Sequence, residues 1–214
     1  MYKHILLDWD GCLADTLSVW MKGYIETFKK FNLKPTEKQI VGTAFGDYNG
    51  PIKLGLDDKY IEEFFNELNT NIKTELLNVA LHKDVYEVLE KIYVNGIKMA
   101  LVTSSKRDTV EPALISNKIN QYMEFILDAD DVTNHKPDPE IVEKAIAKLR
   151  SDKNHTLIVS DSSKDILAGK NAGIDTLVFY PQINQRFYKR EELENLSHTY
   201  INEDFSKLLH LLEI

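Results

Sequence analysis

The stretch Ile5-Leu6-Leu7-Asp8-Trp9-Asp10-Gly11-Cys12-Leu13-Ala14-Asp15-Thr16 decides how the rest of the chain is read. An apolar run ends in two carboxylates two residues apart, and a glycine follows at once. On an extended segment that spacing sends Asp8 and Asp10 to the same side, where strand gives way to turn. Like charges held that close repel each other, so the chain must gain something by keeping both. The gain is either a bound divalent cation or a division of labour, one carboxylate as nucleophile and the other as proton carrier. The plainer alternative is an acidic turn, for which Asp and Gly are ordinary residues. Other segments of the chain decide between them.

Short runs rich in Val, Ile and Leu recur at 4–8, 97–102, 124–127, 156–160 and 175–179, each bounded by Gly, Asn, Asp or Ser. Runs that are apolar throughout predict strands buried on both faces. Amphipathic stretches of helical length separate them at 83–95, 107–118, 138–150 and 163–172, and 203–213 closes the chain. This alternation predicts an α/β fold with a central parallel sheet covered by helices on both sides. One interval breaks the rhythm. From Asp15 to His82 no strand is visible; helical patterns occupy 16–32, 36–43 and 58–80, with Pro35 and the Gly46–Pro51 stretch as punctuation. Residues 15–82 are therefore expected to form a small all-α domain inserted into a core made of 1–14 and 83–214. In an open α/β sheet ligands bind beyond the carboxyl ends of the strands, so the insert is expected to act as a lid.

Composition narrows the function classes. The chain has 214 residues, 43% of them apolar, and a net charge of −8. Arginine occurs only at 107, 150, 186 and 190, and the short basic pairs read as solvated helix faces, so no nucleic-acid partner is expected. The single cysteine, Cys12, allows no intramolecular disulfide and fits a reducing, cytoplasmic setting. It lies beside the carboxylate pair, but with no histidine near it in sequence it reads as a small buried filler. No run of 18 apolar residues exists, and a strand opening at His4 leaves no room for an export signal, so no membrane partner is expected.

The polar residues at the other strand ends now become informative. Strand 97–102 ends in Thr103-Ser104-Ser105, whose hydroxyls and turn amides suit phosphate oxygens or, equally, the cap of the next helix. Lys136 stands between a loop and a helix start marked by Pro139; a lone lysine there is ordinarily exposed. Strand 156–160 ends in Ser160-Asp161-Ser162-Ser163-Lys164-Asp165. Ser162 and Asp165 fit a capping box, whereas Asp161 comes too early for a role inside the helix. Carboxylates, hydroxyls and a lysine thus gather at one sheet edge, a set of oxygen donors suited to Mg²⁺ and a substrate phosphate.

In this order the motifs resemble the haloacid dehalogenase-like superfamily of phosphotransferases, in the branch with an α-helical cap inserted after the first motif. The resemblance spans essentially the whole chain and rests on Asp8-Trp9-Asp10-Gly11 with Asp15-Thr16, then Thr103, then Lys136-Pro137, then Asp161 with Asp165 ahead of Ala172-Gly173. It implies a Rossmann-like three-layer core with a central parallel sheet plus the small all-α cap. It further implies Asp8 as the nucleophile forming an aspartyl-phosphate, and Asp10 as the general acid and base. Thr103 with the Ser104 amide would bind the transferring phosphoryl group, and Lys136 would neutralise it and orient Asp8. Mg²⁺ would be held by Asp8, the backbone carbonyl of Asp10, and Asp161, with Asp165 in an outer role.

Departures from the family pattern sharpen the reaction. Ser160 stands where Gly or an acid is usual. Asp10 argues against carbon–halogen cleavage and phosphonate chemistry, although Trp9 is similar to the phosphonatase first motif. Trp20 occupies the place where mutases of the branch carry a histidine, which favours hydrolysis over sugar-phosphate mutation. A non-catalytic phosphate sensor is the reading outside enzymes. Lys53, Lys22, Trp20, Tyr24 and the turn Gly46–Gly50 are the candidates for leaving-group contact, with Trp20 and Tyr24 alternatively one turn apart in a helical core. The expected partner is a small phosphorylated metabolite, such as phosphoglycolate, a sugar phosphate or a nucleoside monophosphate, and the expected assembly a monomer or homodimer.

Overall fold

Six strands, β1 His4–Leu7, β2 Lys98–Val102, β3 Met123–Leu127, β4 Thr156–Ser160, β5 Asp175–Phe179 and β6 Tyr200–Asn202, form one sheet in the order β3-β2-β1-β4-β5-β6. Every neighbouring pair is parallel, and β1 lies between β2 and β4 with Leu7 opposite both Leu101 and Val159. The first connections run outward from β1 to β3, and the chain then crosses to β4 on the other side. That reversal places the topological switch point beside β1, where α/β sheets bind ligands. The computed structural model describes residues 1–196 and 198–214. The chain divides into two compact units: Met1–Asp15 with Ala80–Ile214, and Thr16–Val79.

The Thr16–Val79 unit is helical: α1 Leu17–Lys30, α2 Glu37–Thr43, α3 Gly50–Lys53 and α4 Ile61–Leu77. Helices α1 and α4 pack through Tyr24, Phe28, Phe64, Leu68 and Ile72, all buried. Their rings interlock, with Phe28 and Phe64 centroids 4.7 Å apart and Tyr24 and Phe64 6.1 Å apart. Tyr24 also donates to the Ala44 carbonyl at 3.0 Å, which satisfies its buried hydroxyl. A capping box between Thr36 and Gln39 starts α2. The Gly46–Pro51 stretch is more than punctuation, because Gly50 and Pro51 open α3, proline being suited to a first turn.

The sheet unit carries α5 Val85–Val94, α6 Arg107–Ser116, α7 Glu140–Leu149, α8 Ser163–Ala172, α9 Arg190–Glu194 and α10 Lys207–Leu212. Because strand side chains alternate, Leu6, Ala100, Val102 and Ile158 share one face, and they pack against Ile141, Val142 and Ala145 of α7 and Ala168 and Ala172 of α8. Ile5, Leu7, Met99, Leu101, Leu157 and Val159 fill the opposite face and are fully buried as well. Helix α5 packs on β2, and α10 on α5. The result is the helix–sheet–helix sandwich that uninterrupted apolar strands predict. Strand β6 has no counterpart among the sequence-predicted strands: it is three half-buried residues at the sheet edge, too short to show a period. No described helix is long and apolar enough to cross a membrane.

Gly169 sets how closely α8 approaches the sheet. A Cβ there would lie 2.6 Å from Ile158 Cγ2 and 2.8 Å from Thr176 Cγ2, two branched carbons with little freedom to move. Gly169→Ala is expected to cost about 1–3 kcal/mol by overpacking, more than the roughly 1 kcal/mol gained by removing a glycine from a helix. Thermal unfolding followed by circular dichroism should show a lower Tm; an unchanged or higher Tm contradicts the close-approach argument.

Candidate active site

Strand β1 extends one residue past its end through the Asp8 amide, which donates to the Val159 carbonyl at 3.1 Å. The chain then folds over itself. The amides of Cys12, Leu13 and Ala14 all point at the Trp9 carbonyl, and Gly11 takes φ +72°, a left-handed conformation that glycine adopts without strain. Trp9 and Cys12 are buried beneath this turn. The Cys12 thiol donates weakly to the Val159 carbonyl at 3.4 Å, and burial, reinforced by the charge of Asp8, pushes it well up. It is a filler and not a nucleophile, as expected.

Asp8 and Asp10 occupy different settings. Asp8 is 5% exposed; one oxygen receives Lys136 Nζ at 3.2 Å and the other the Ser160 hydroxyl at 3.3 Å. Asp10 is half-buried, and its Oδ2 accepts from the Ser105 hydroxyl at 2.6 Å. Lys136 is the one buried lysine among the described residues. Its three protons have three acceptors: Asp8, the Val102 carbonyl at 2.9 Å, and Asp165. Burial alone would lower the Lys136 ammonium's pKa, but the charges of Asp165 and Asp8 and their hydrogen bonds outweigh it and the net shift is upward. Asp165 is half-capped as expected, with its amide on the Ser162 oxygen at 3.3 Å. Its carboxylate, however, turns to Lys136 and to the Ser162 hydroxyl, 2.6 Å away, instead of closing the box.

Thr103 is fully buried, its amide on the Leu127 carbonyl and its Oγ1 accepting the Ser105 amide at 3.1 Å. Ser104 is exposed beside it. The capping alternative for this run fails, because α6 begins after Lys106 and takes no side-chain cap. Asp161, 1% exposed, follows β4 directly. Its Oδ2 accepts from Asn184 Nδ2 at 2.9 Å, while its Oδ1 has no partner among the described residues. Burial pushes the Asp161 carboxyl well up, and the charges of Asp8, Asp165 and Asp10 add to this. Burial likewise pushes Asp8 up to about 7, helped by Asp165 and opposed by Lys136.

A cation fits this deficit of positive charge. Four carboxylates share one buried ammonium, and an orphaned buried carboxylate oxygen stands among them. The donors are all oxygen, which suits a hard ion. Among the described residues no three His, Cys, Asp or Glu side chains gather closely enough to cage a metal by themselves. An ion would therefore complete its shell from backbone, water and substrate oxygens, as Mg²⁺ ordinarily does.

Asp8, Asp10, Thr103, Lys136 and Asp161 thus meet at the carboxyl ends of β1, β2 and β4, with Ser104 beside them on the loop after β2. Trp20 and Lys53 belong to the helical unit and have partners there, Trp20 against Tyr24 with centroids 6.4 Å apart and Lys53 paired to Asp47 at 2.7 Å. Tyr24 is helical core, whereas Trp20 is half-buried. Lys22 pairs with Glu75 at 2.5 Å on the exposed side of α1. Sequence reasoning missed three contributors. Ser105 lay inside a run already singled out, at the next alternate position after Thr103. Ser160 was visible only as a departure from pattern. Asn184 gave no signal, because nothing in Gln182-Ile183-Asn184-Gln185-Arg186 tells which polar residue turns inward.

Comparison with known proteins agrees with this architecture. The model of the family "Haloacid dehalogenase-like hydrolase" matches residues 5–179. The chain is similar to a protein of Oceanobacillus iheyensis named pyrophosphatase PpaX, 30% identical over 215 residues that cover 98% of this chain and 96% of that one. Among solved structures it resembles a hydrolase from Pseudomonas syringae, with TM-score 0.85, 22% identity and 99% of each chain covered. It also resembles CbbY from Rhodobacter sphaeroides in complex with phosphate, with TM-score 0.82, 19% identity and 100% of each chain covered. The family match takes in both the Asp8-Trp9-Asp10-Gly11 turn and the Asp161 loop, and the chain belongs to the haloacid dehalogenase-like hydrolase family.

Proposed function

We propose that the chain is a Mg²⁺-dependent phosphatase that moves the phosphoryl group of a small phosphoester, or of inorganic pyrophosphate, first to Asp8 and then to water. The observation that carries this reading is the unequal setting of the two neighbouring carboxylates. Asp8 is buried and gripped by Lys136; Asp10 is half-buried and accepts from the Ser105 hydroxyl. A buried, charge-paired carboxylate suits a nucleophile, and one nearer the solvent suits a proton carrier.

In the first step an Asp8 oxygen bonds to phosphorus as the bond to the leaving oxygen breaks, and Asp10 gives that oxygen a proton. In the second, Asp10 takes a proton from water, whose oxygen attacks phosphorus and frees Asp8 and phosphate. Lys136 holds Asp8 in place and balances charge, while Thr103 and the Ser104 amide are the proposed donors to the transferring oxygens. Asp8, the Asp10 carbonyl and Asp161 would hold Mg²⁺, which when bound supplies the positive charge that lets an anionic carboxylate meet an anionic phosphoryl group. The helical unit is proposed as the cap that selects the leaving group, with Lys53 and Trp20 as its contacts. A relative named as a pyrophosphatase supports including pyrophosphate beside metabolite monoesters among the substrates.

A phosphate-release screen over pyrophosphate, phosphoglycolate, sugar phosphates and nucleoside monophosphates should show turnover with Mg²⁺ that EDTA abolishes. Asp8→Asn should lose at least about 10³-fold in kcat and Asp10→Asn about 10²- to 10⁴-fold. Metal-independent turnover, or an active Asp8→Asn, contradicts the proposal. The crowded carboxylates also predict a stability effect. In EDTA, Asp161→Asn should melt at a higher temperature than wild type, because it removes a buried carboxyl whose ionisation is opposed by burial and by the neighbouring carboxylates. Wild type should gain about 2.7 kcal/mol at a Mg²⁺ concentration 100 times its Kd, a gain that Asp161→Asn loses. Calorimetric scans with and without Mg²⁺ measure both.

A further inference from the structure

Among the described residues, Asn184 is the one buried amide side chain, and it joins three segments of the sheet unit. It is fully buried in a 3₁₀ turn, Gln182–Arg186, that follows β5. Pro181 leads into that turn with extended backbone, the Asn184 amide caps back on the Pro181 carbonyl at 2.9 Å, and Phe187 and Tyr188 donate to the Asn184 carbonyl at 2.9 and 3.1 Å. The backbone is therefore fully engaged, and the side chain is fixed from behind. Its Nδ2 donates to the Gly11 carbonyl at 2.8 Å and to Asp161 Oδ2 at 2.9 Å. Both partners are pure acceptors, so the amide can sit only one way round. Its Oδ1 is left without a partner among the described residues, as is Asp161 Oδ1. Buried polar atoms of this kind call for water or an ion, and here two of them belong to one hydrogen-bonded pair.

Resting on the proposed Mg²⁺ site, we infer that Asn184 is a positioning residue for that cation. One proton of its amide turns Asp161 so that Oδ1 is the oxygen offered to the ion, and the other fixes the turn that carries the Asp10 carbonyl. Its own Oδ1 accepts from a water of the ion's shell. A carboxylate alone could rotate and offer either oxygen; the Asn184 donor removes that freedom before the ion arrives. Outer partners of metal ligands commonly change affinity by about 10- to 100-fold, and the same range is expected here.

The test is Mg²⁺ titration of EDTA-stripped full-length protein by isothermal calorimetry, together with kcat and KM measured across Mg²⁺ concentrations. Asn184→Leu keeps the approximate shape and removes both donors; its Mg²⁺ Kd should rise about 10- to 100-fold, and saturating Mg²⁺ should restore turnover. Asn184→Ser keeps one small donor and should fall between it and wild type, which preserves the test if the leucine variant does not fold. A purely structural role would lower Tm in EDTA while leaving the Mg²⁺ Kd alone. Folded variants with wild-type Kd overturn the inference while leaving the cation reading intact. Wild type that binds no Mg²⁺, or Asp161→Asn that binds it as wild type does, overturns the cation reading itself.

Discussion

The Lys136 ammonium is the interaction on which the rest of the site depends. It meets Asp8, Asp165 and the Val102 carbonyl at once, so a single side chain ties together the loop after β1, the end of β2 and the first turn of α8. A buried ion pair is weak evidence of stability by itself, since desolvation offsets much of the attraction. Here the arrangement is also unbalanced, with Asp10 and Asp161 adding charge that Lys136 cannot neutralise. Such an excess of buried carboxylates costs stability, and a mismatch of this kind is the pattern expected of a functional site.

Much of the fold was legible because its signals are long or repeated. Strands β1, β2, β4 and β5 are largely apolar and buried on both faces, and each stands out against the polar segments around it, whereas β3 at the sheet edge keeps Glu124 exposed. Helix α7 shows the same legibility, its buried residues Ile141, Val142, Ala145, Ile146 and Leu149 falling on one stripe. What escaped was short. Strand β6 and helices α3 and α9 run for three to five residues, less than the period needed to recognise them, and they form because the surrounding packing favours them.

The site divides in the same way. Asp8, Thr103, Lys136 and Asp161 were legible because each follows a recognisable strand or precedes a recognisable helix, so sheet topology alone brings them to one edge. Their partners were not. Whether Asp165 caps its helix or pairs with a lysine from another loop is a question of where that loop passes, and the Ser162–Asp165 spacing is the same either way. Ser105 and Asn184 are polar residues in polar loops, and only the third dimension separates them from their exposed neighbours.

The helical unit leaves the sheet unit after Asp15 and returns at Ala80, and the Asp15 amide donates to the Ala80 carbonyl at 3.1 Å. The exit and entry strands of backbone are thus clasped to each other like the two sides of a hairpin. For the sheet unit everything between them is one closed loop, and the entropy of closing a loop grows only with the logarithm of its length. Evolution can therefore lengthen, shorten or exchange the insertion at small thermodynamic cost to its host. In this architecture the carboxylate-bearing turn and the helical insertion can change as separate pieces of sequence.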